Sequence, residues 1–256
     1  MKPKQIYSLL ALLPLFFLAG YKSKTVNFWE LKNINASGQR VKEIKTSINK
    51  CTKALDEIFT DKPSKLLIIA YGKRSSFVEG LQSEVGFSKE GASYFKKNSA
   101  PRPMQGKYLI PPDQELKNVC HEIVHHYLEA NTNRENLLNA KWFDEGTATY
   151  LADQIFESGD LKRAKEKFQS IPKEKYFPLN YMKKERQWND LHKNQQSRYF
   201  AYAQSGLMMK YFFEKYGVVK FQKILEKMKT SIFKIAFKKA TGITDARYYN
   251  IWLKSL

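Results

Sequence analysis

Apolar residues at Val41, Ile44, Ile48, Cys51, Leu55 and Ile58 recur every three or four positions, which predicts an amphipathic helix with one buried face. The pattern then changes to a continuous apolar run, Leu66-Leu67-Ile68-Ile69-Ala70-Tyr71-Gly72, short and bounded by turn residues, as a buried strand would be. Phe77 to Leu81 reads as a short helix. Gly86-Phe87-Ser88, Ala92-Ser93-Tyr94-Phe95 and Tyr108-Leu109-Ile110 read as further strands separated by Gly and Pro. Residues 25–113 are therefore expected to form an N-terminal α/β lobe with a small mixed sheet.

From Pro112 onward helical spacing dominates. One helix is expected around residues 121–125. A second carries the apolar face Trp142, Phe143, Ala148, Leu151, Ala152 and Ile155, entered from the loop Asn131-Thr132-Asn133. Helices over Leu161 to Gln169, 199–216, 218–229 and a run ending at Leu256 follow. Pro172, Pro178 and the polar stretch Asn189 to Arg198 mark loops expected to rim a cleft. The expectation is one α+β domain over 25–256, its helical lobe spanning 114–256, with no internal repeat or low-complexity linker.

The N-terminus has a different character. Met1-Lys2-Pro3-Lys4 followed by the apolar run Ile6 to Gly20 is a basic region and then a hydrophobic region, an export signal expected to occupy residues 1–24. It is either cleaved or kept as a short membrane anchor, although its apolar run is shorter than the roughly 20 residues of a spanning helix. Leu18-Ala19-Gly20 resembles a lipoprotein box, but Tyr21 stands where that box requires cysteine. The working part is thus placed outside the cytoplasm. There Cys51 and Cys120 offer one possible pair, while Cys120 taken alone reads as a buried thiol.

The formal charge of +19 sits on scattered lysines such as Lys162, Lys165, Lys167, Lys173, Lys175, Lys183 and Lys184. A solvated lysine-rich surface accounts for it. As a binding surface it would suit anionic lipid headgroups or cell-wall polymers ahead of nucleic acid, on a chain expected to be a monomer.

The chemistry is concentrated in His121-Glu122-Ile123-Val124-His125. On a helix His121 and His125 stand one turn apart on one face, so two imidazoles can bind one ion. Glu122 is offset from them, where its carboxylate reaches water rather than the ion, the position of a general base. A catalytic zinc keeps three protein ligands and one open position, so a third ligand is needed. Glu129, Glu135, Asp144 and Glu145 are the candidates. Glu129 lies two helical turns, about 12 Å, from His121, too far to share an ion. A ligand on a second helix meets the requirement: Glu145 or, failing that, Asp144, which otherwise would accept a histidine N–H. Gly146 and Ala148 are small enough to let that helix approach the His121 helix closely.

A different zinc architecture would require Gly at 128 and His at 131, and the chain has Leu128 and Asn131. His121 to His125 together with Trp142-Phe143-Asp144-Glu145-Gly146-Thr147-Ala148-Thr149-Tyr150 instead resemble the gluzincin metallopeptidases of the peptidase MA-like group. Within that group the chain is distantly similar to aminopeptidase N and thermolysin. Tyr199-Phe200-Ala201-Tyr202-Ala203-Gln204-Ser205, Tyr211 to Gly217 and the closing Ala240 to Trp252 are similar to later segments of that group. The resemblance implies a zincin-like fold with one zinc ion in the cleft between the lobes, held by His121, His125 and Glu145. It also implies a peptide or protein substrate laid along an edge strand beside the site, Tyr108 to Ile110 here. By motif position Tyr202 would donate to the oxyanion, with Tyr199 one turn earlier as the alternative. His126 faces away from the pair, and His192 is a solvated histidine or a second oxyanion donor. Nothing resembles the Gly-x-Met-Glu-Asn motif that grips a free amino terminus, which favours endopeptidase or processing activity over aminopeptidase activity. The contrasting expectation is a non-catalytic envelope protein that keeps the fold and acts through its basic surface.

Overall fold

A computed structural model describes residues 28–88, Ala92, 106–191 and 194–256, so the N-terminal segment and His192 lie outside the described residues. Three strands, β1 (Trp29–Ile34), β2 (Leu66–Tyr71) and β3 (Lys107–Ile110), form a sheet in the order β1-β2-β3 with both pairings parallel. Among the described residues the sheet is therefore parallel rather than mixed. Parallel pairing needs crossovers, supplied by α1 (Gly38–Leu55) and α2 (Arg74–Val85). Strand β1 was not expected, although Trp29 and Leu31 alternate with the exposed Glu30 and Lys32 as in an edge strand with solvent on one face.

The segment Gly86-Phe87-Ser88 is not a strand. Gly86 takes a left-handed conformation (φ 74°) and caps α2, its N–H donating to the carbonyls of Gln82 and Leu81. Ala92 is helical too, its N–H donating to the Ser88 carbonyl at 2.8 Å, and residues 93–95 lie outside the described residues. Two-residue apolar clusters fit either element, and glycine at a helix C-terminus looks the same in sequence as glycine between strands.

The rest is helical: α3 (Leu116–Asn131), α4 (Arg134–Leu138), α5 (Lys141–Phe156), α6 (Asp160–Gln169), α7 (Glu185–Leu191), α8 (Gln195–Met228), α9 (Phe233–Thr241) and α10 (Asp245–Ser255). α8 is broken at Gly217 (φ 70°, ψ 177°), where two helices were expected to meet. Of the stretch 189–198, only Asn194 among the described residues lies outside α7 and α8. Its side chain caps α8 by accepting from the N–H groups of Gln196 and Ser197. No helix among the described residues is long and apolar enough to cross a membrane.

One contiguous apolar core runs from Ile44 on α1 through β2, α3 and α5 to Trp252 on α10. α5 lies at its centre and is buried nearly all round through its first two turns. Trp142 stacks on Tyr248 (ring centroids 5.8 Å apart, 18° between planes) and meets Phe233 and Phe237, so the C-terminal helices hold the start of α5. Gly146 does permit a close approach, but to α8 and not to the His121 helix. A Cβ built there would stand 2.5 Å from the Ser205 carbonyl oxygen. The neighbouring Gln204 is fully buried and pins the loop before α7, its amide exchanging hydrogen bonds with the Phe177 N–H and carbonyl.

Cys51 and Cys120 form a disulfide with Cα atoms 5.6 Å apart, joining α1 to α3, so Cys120 is not a free thiol. Ser47 on α1 reinforces the same contact by donating to the Leu116 carbonyl at 3.1 Å. The cross-link spans 69 residues. Chain-entropy arithmetic for a loop of that size gives about 4 kcal/mol of stabilisation. Urea unfolding of a Cys51→Ala/Cys120→Ala variant is expected to show a loss of about that size, and an unchanged midpoint would refute the assignment.

Candidate metal centre

α3 presents its histidines because Val119, Cys120, Ile123, Val124, Tyr127 and Leu128 turn its other faces into the core. His121 and His125 then share one face, one turn apart, with their rings 4.8 Å apart at 80°. Glu145, on the second turn of α5, comes up opposite them. Their donor atoms form a nearly equilateral triangle: His121 Nε2 to His125 Nε2 3.2 Å, and each nitrogen to Glu145 Oε2 3.3 Å. Zinc bonds of ~2.0–2.1 Å in tetrahedral geometry require donors about 3.3 Å apart. Among the described residues, His121, His125 and Glu145 are the group able to hold a metal ion.

The hydrogen-bonding pattern of the group separates the roles of its two carboxylates. Asp144 Oδ1 lies 2.7 Å from His125 Nδ1 and, as a carboxylate oxygen, can only accept, so Nδ1 carries the proton. In the neutral ring Nε2 is then a lone-pair acceptor, aimed at another acceptor, Glu145 Oε2. A proton shared among these donors, or a cation held between them, balances the group. Asp144 thus takes the role of histidine partner and Glu145 the place in the triangle.

Glu122 points out of the triangle into a cleft of about 590 Å³, which it lines together with His121, Thr149, Asp153, Tyr199 and Tyr202. Its Oε2 is buried and has no hydrogen-bond partner in the protein. Behind it stands Tyr108 of β3, whose phenol is pushed well above its ordinary pKa by its own burial and then by the Glu122 charge, with the Gln114 side chain opposing. Tyr108 is fully buried and no residue of β3 lines the cleft, whose walls come from helices and the segment leading into α3.

Tyr202 lies 5.8 Å from the His121 ring, edge-on to Trp188, with the Arg198 guanidinium 5.8 Å above it. Tyr199 stands farther out, half exposed, beneath Lys167. The far wall carries the ion pair Lys117–Asp160, with Nζ to Oδ2 2.5 Å. Burial raises the Asp160 carboxyl, but Lys117, Ser158 and Arg163 outweigh it and hold the group below the usual carboxylate range.

The remaining histidine and acid candidates stand apart. His126 is buried on the other side of α3, its ring meeting the Ser64 carbonyl at 3.0 Å. Glu129 is beside Arg134, and Glu135 donates its backbone N–H to the side chain of Asn133, which caps α4. Asn131 ends α3 by bonding Thr60 and the Asp61 backbone, a structural use of its side chain. One site residue was not foreseen: Lys141, buried at the start of α5. Its Nζ reaches Asp144 Oδ2 at 3.0 Å and Glu145 Oε1 at 3.1 Å. The i,i+3 and i,i+4 spacing was there to be read, but on sequence alone it describes an ordinary surface ion pair.

No protein-family model matches this chain, and no curated protein matches it.

Proposed function

We propose that this protein is an exported zinc-dependent metallopeptidase of gluzincin type, acting on peptide bonds within a peptide or protein chain. The observation that carries the reading is the triangle of His121 Nε2, His125 Nε2 and Glu145 Oε2, with edges of 3.2–3.3 Å, beside the unpartnered Glu122 oxygen. Three converging donors suit a catalytic ion, which keeps a position open, better than a structural one, which is closed by four. Bound there, a zinc ion would polarise the substrate carbonyl and make nearby water more acidic.

The chain's own residues supply the other parts. Glu122, off the ligand face and without a competing partner, takes a proton from the attacking water and returns it to the departing amine. Tyr202, against His121 at the cleft wall, donates its phenolic hydrogen to the oxygen that gains charge. Asp144 fixes the His125 ring and its tautomer through Nδ1. The cleft accommodates several residues of an extended peptide, and the basic surface suits attachment to anionic lipid headgroups or cell-wall polymers. An extracytoplasmic setting is supported by the disulfide, a bond that persists in oxidising compartments, and by the export-type pattern of residues 1–24.

The test is hydrolysis of a denatured protein and a mixed peptide library by purified protein, with products identified by mass spectrometry. Internal cleavage, abolished by a strong chelator and restored by one equivalent of zinc, is the expected result. A zinc-loaded protein that cleaves nothing in the library would defeat the peptidase reading.

A further inference from the structure

Lys141 is 3% exposed, an unusual place for an ammonium, and its position relative to the two carboxylates is specific. Each carboxylate has one oxygen committed to the histidine side: Asp144 Oδ1 to His125 Nδ1, and Glu145 Oε2 to the donor triangle. Lys141 Nζ meets the other oxygen of each, Oδ2 at 3.0 Å and Oε1 at 3.1 Å. Its backbone is anchored as well, the N–H donating to the Lys183 carbonyl at 2.9 Å. The ammonium therefore lies behind the site, on the side of the carboxylates away from the donor triangle.

We infer that Lys141 is a positioning residue that restricts Glu145 to a single ligating oxygen and holds the site's geometry when no metal is bound. Two consequences follow from charge and geometry. An ammonium that holds the second oxygen at 3.1 Å competes with the ion for it and biases Glu145 toward presenting Oε2 alone, which keeps a coordination position open for water and substrate. Without metal, Asp144 and Glu145 would be two adjacent buried carboxylates, and Lys141 supplies the compensating charge that lets the fold form before metal arrives. A role as a lysine merely filling space would serve neither purpose.

This inference rests on the metal reading above, and the experiment separates the two. Wild type, Lys141→Met and Lys141→Gln are prepared metal-free and then loaded with cobalt(II) or zinc. Visible absorption of the cobalt forms and X-ray absorption of the zinc forms report coordination, and thermal unfolding is followed with and without metal. In wild type one carboxylate oxygen is expected at zinc. In Lys141→Met the cobalt bands are expected to weaken as Glu145 binds through both oxygens. The metal-free form of that variant is expected to lose about 10 °C in Tm, with a much smaller loss when loaded. Lys141→Gln, which keeps an amide donor without the charge, is expected to retain the wild-type cobalt spectrum while showing the metal-free loss. A two-oxygen carboxylate in zinc-loaded wild type overturns the inference even if both variants fail to fold. So do wild-type spectra combined with equal Tm losses in the metal-free and loaded forms of Lys141→Met. Failure of wild type to take up either metal would instead remove the metal reading itself.

Discussion

Glu122→Gln is expected to lower kcat by about 10²–10⁴-fold while zinc stays bound at the wild-type stoichiometry. The amide is nearly isosteric with the carboxylate, so the packing around α3 is undisturbed, but it cannot take a proton from water. Glu122 is outside the donor triangle, which is why metal retention is expected alongside the loss of rate. Its Oε2 makes no hydrogen bond within the protein, so the substitution breaks no internal contact at that atom. Steady-state hydrolysis of a peptide identified in the library, with elemental analysis on the same sample, checks both halves of the prediction. Wild-type turnover in the variant would remove Glu122 from the chemistry.

The second large effect concerns the ligands. His121→Ala, His125→Ala and Glu145→Ala are each expected to weaken zinc binding by more than Asp144→Asn, for which a loss of about 10–100-fold is expected. Each of the first three substitutions removes one corner of a triangle with edges of 3.2–3.3 Å, and two donors cannot complete the shell. Asp144→Asn leaves all three corners; it disturbs the orientation of the His125 ring, since an amide can offer Nδ1 the wrong group, and weakens the Lys141 ion pair. Chelator competition gives the four affinities. An Asp144 variant weaker than the Glu145 variant would exchange the two roles and restore Asp144 as ligand.

Helix positions and the histidine pair were legible in the sequence because both depend on local spacing. The α1 periodicity and the offset of Glu122 from His121 and His125 follow from the turn of a helix, and the break at Gly217 from a glycine's access to positive φ, whatever surrounds them. The errors fall where identical local patterns serve different ends. Gly86-Phe87-Ser88 ends a helix through a left-handed glycine although its composition suited a strand. Strand β1 was overlooked because its alternation, Trp29 and Leu31 against Glu30 and Lys32, covers only four positions before Asn33 breaks it. Gly146 was read correctly as a close-approach position and matched to the wrong helix.

By itself, then, the sequence determined an α+β chain whose strands precede a helical stretch, and two imidazoles on one helical face with a carboxylate beside them. Those properties are set by contacts within about one turn of chain. Tertiary structure decided which acid faces the histidines and which supports them, that Cys51 meets Cys120 across 69 residues, and that Lys141 lies buried behind two carboxylates. Adjacent residues on α5 differ by about 100° in direction. Only the packing of α5 against α3 and α8 sets which direction points at the site.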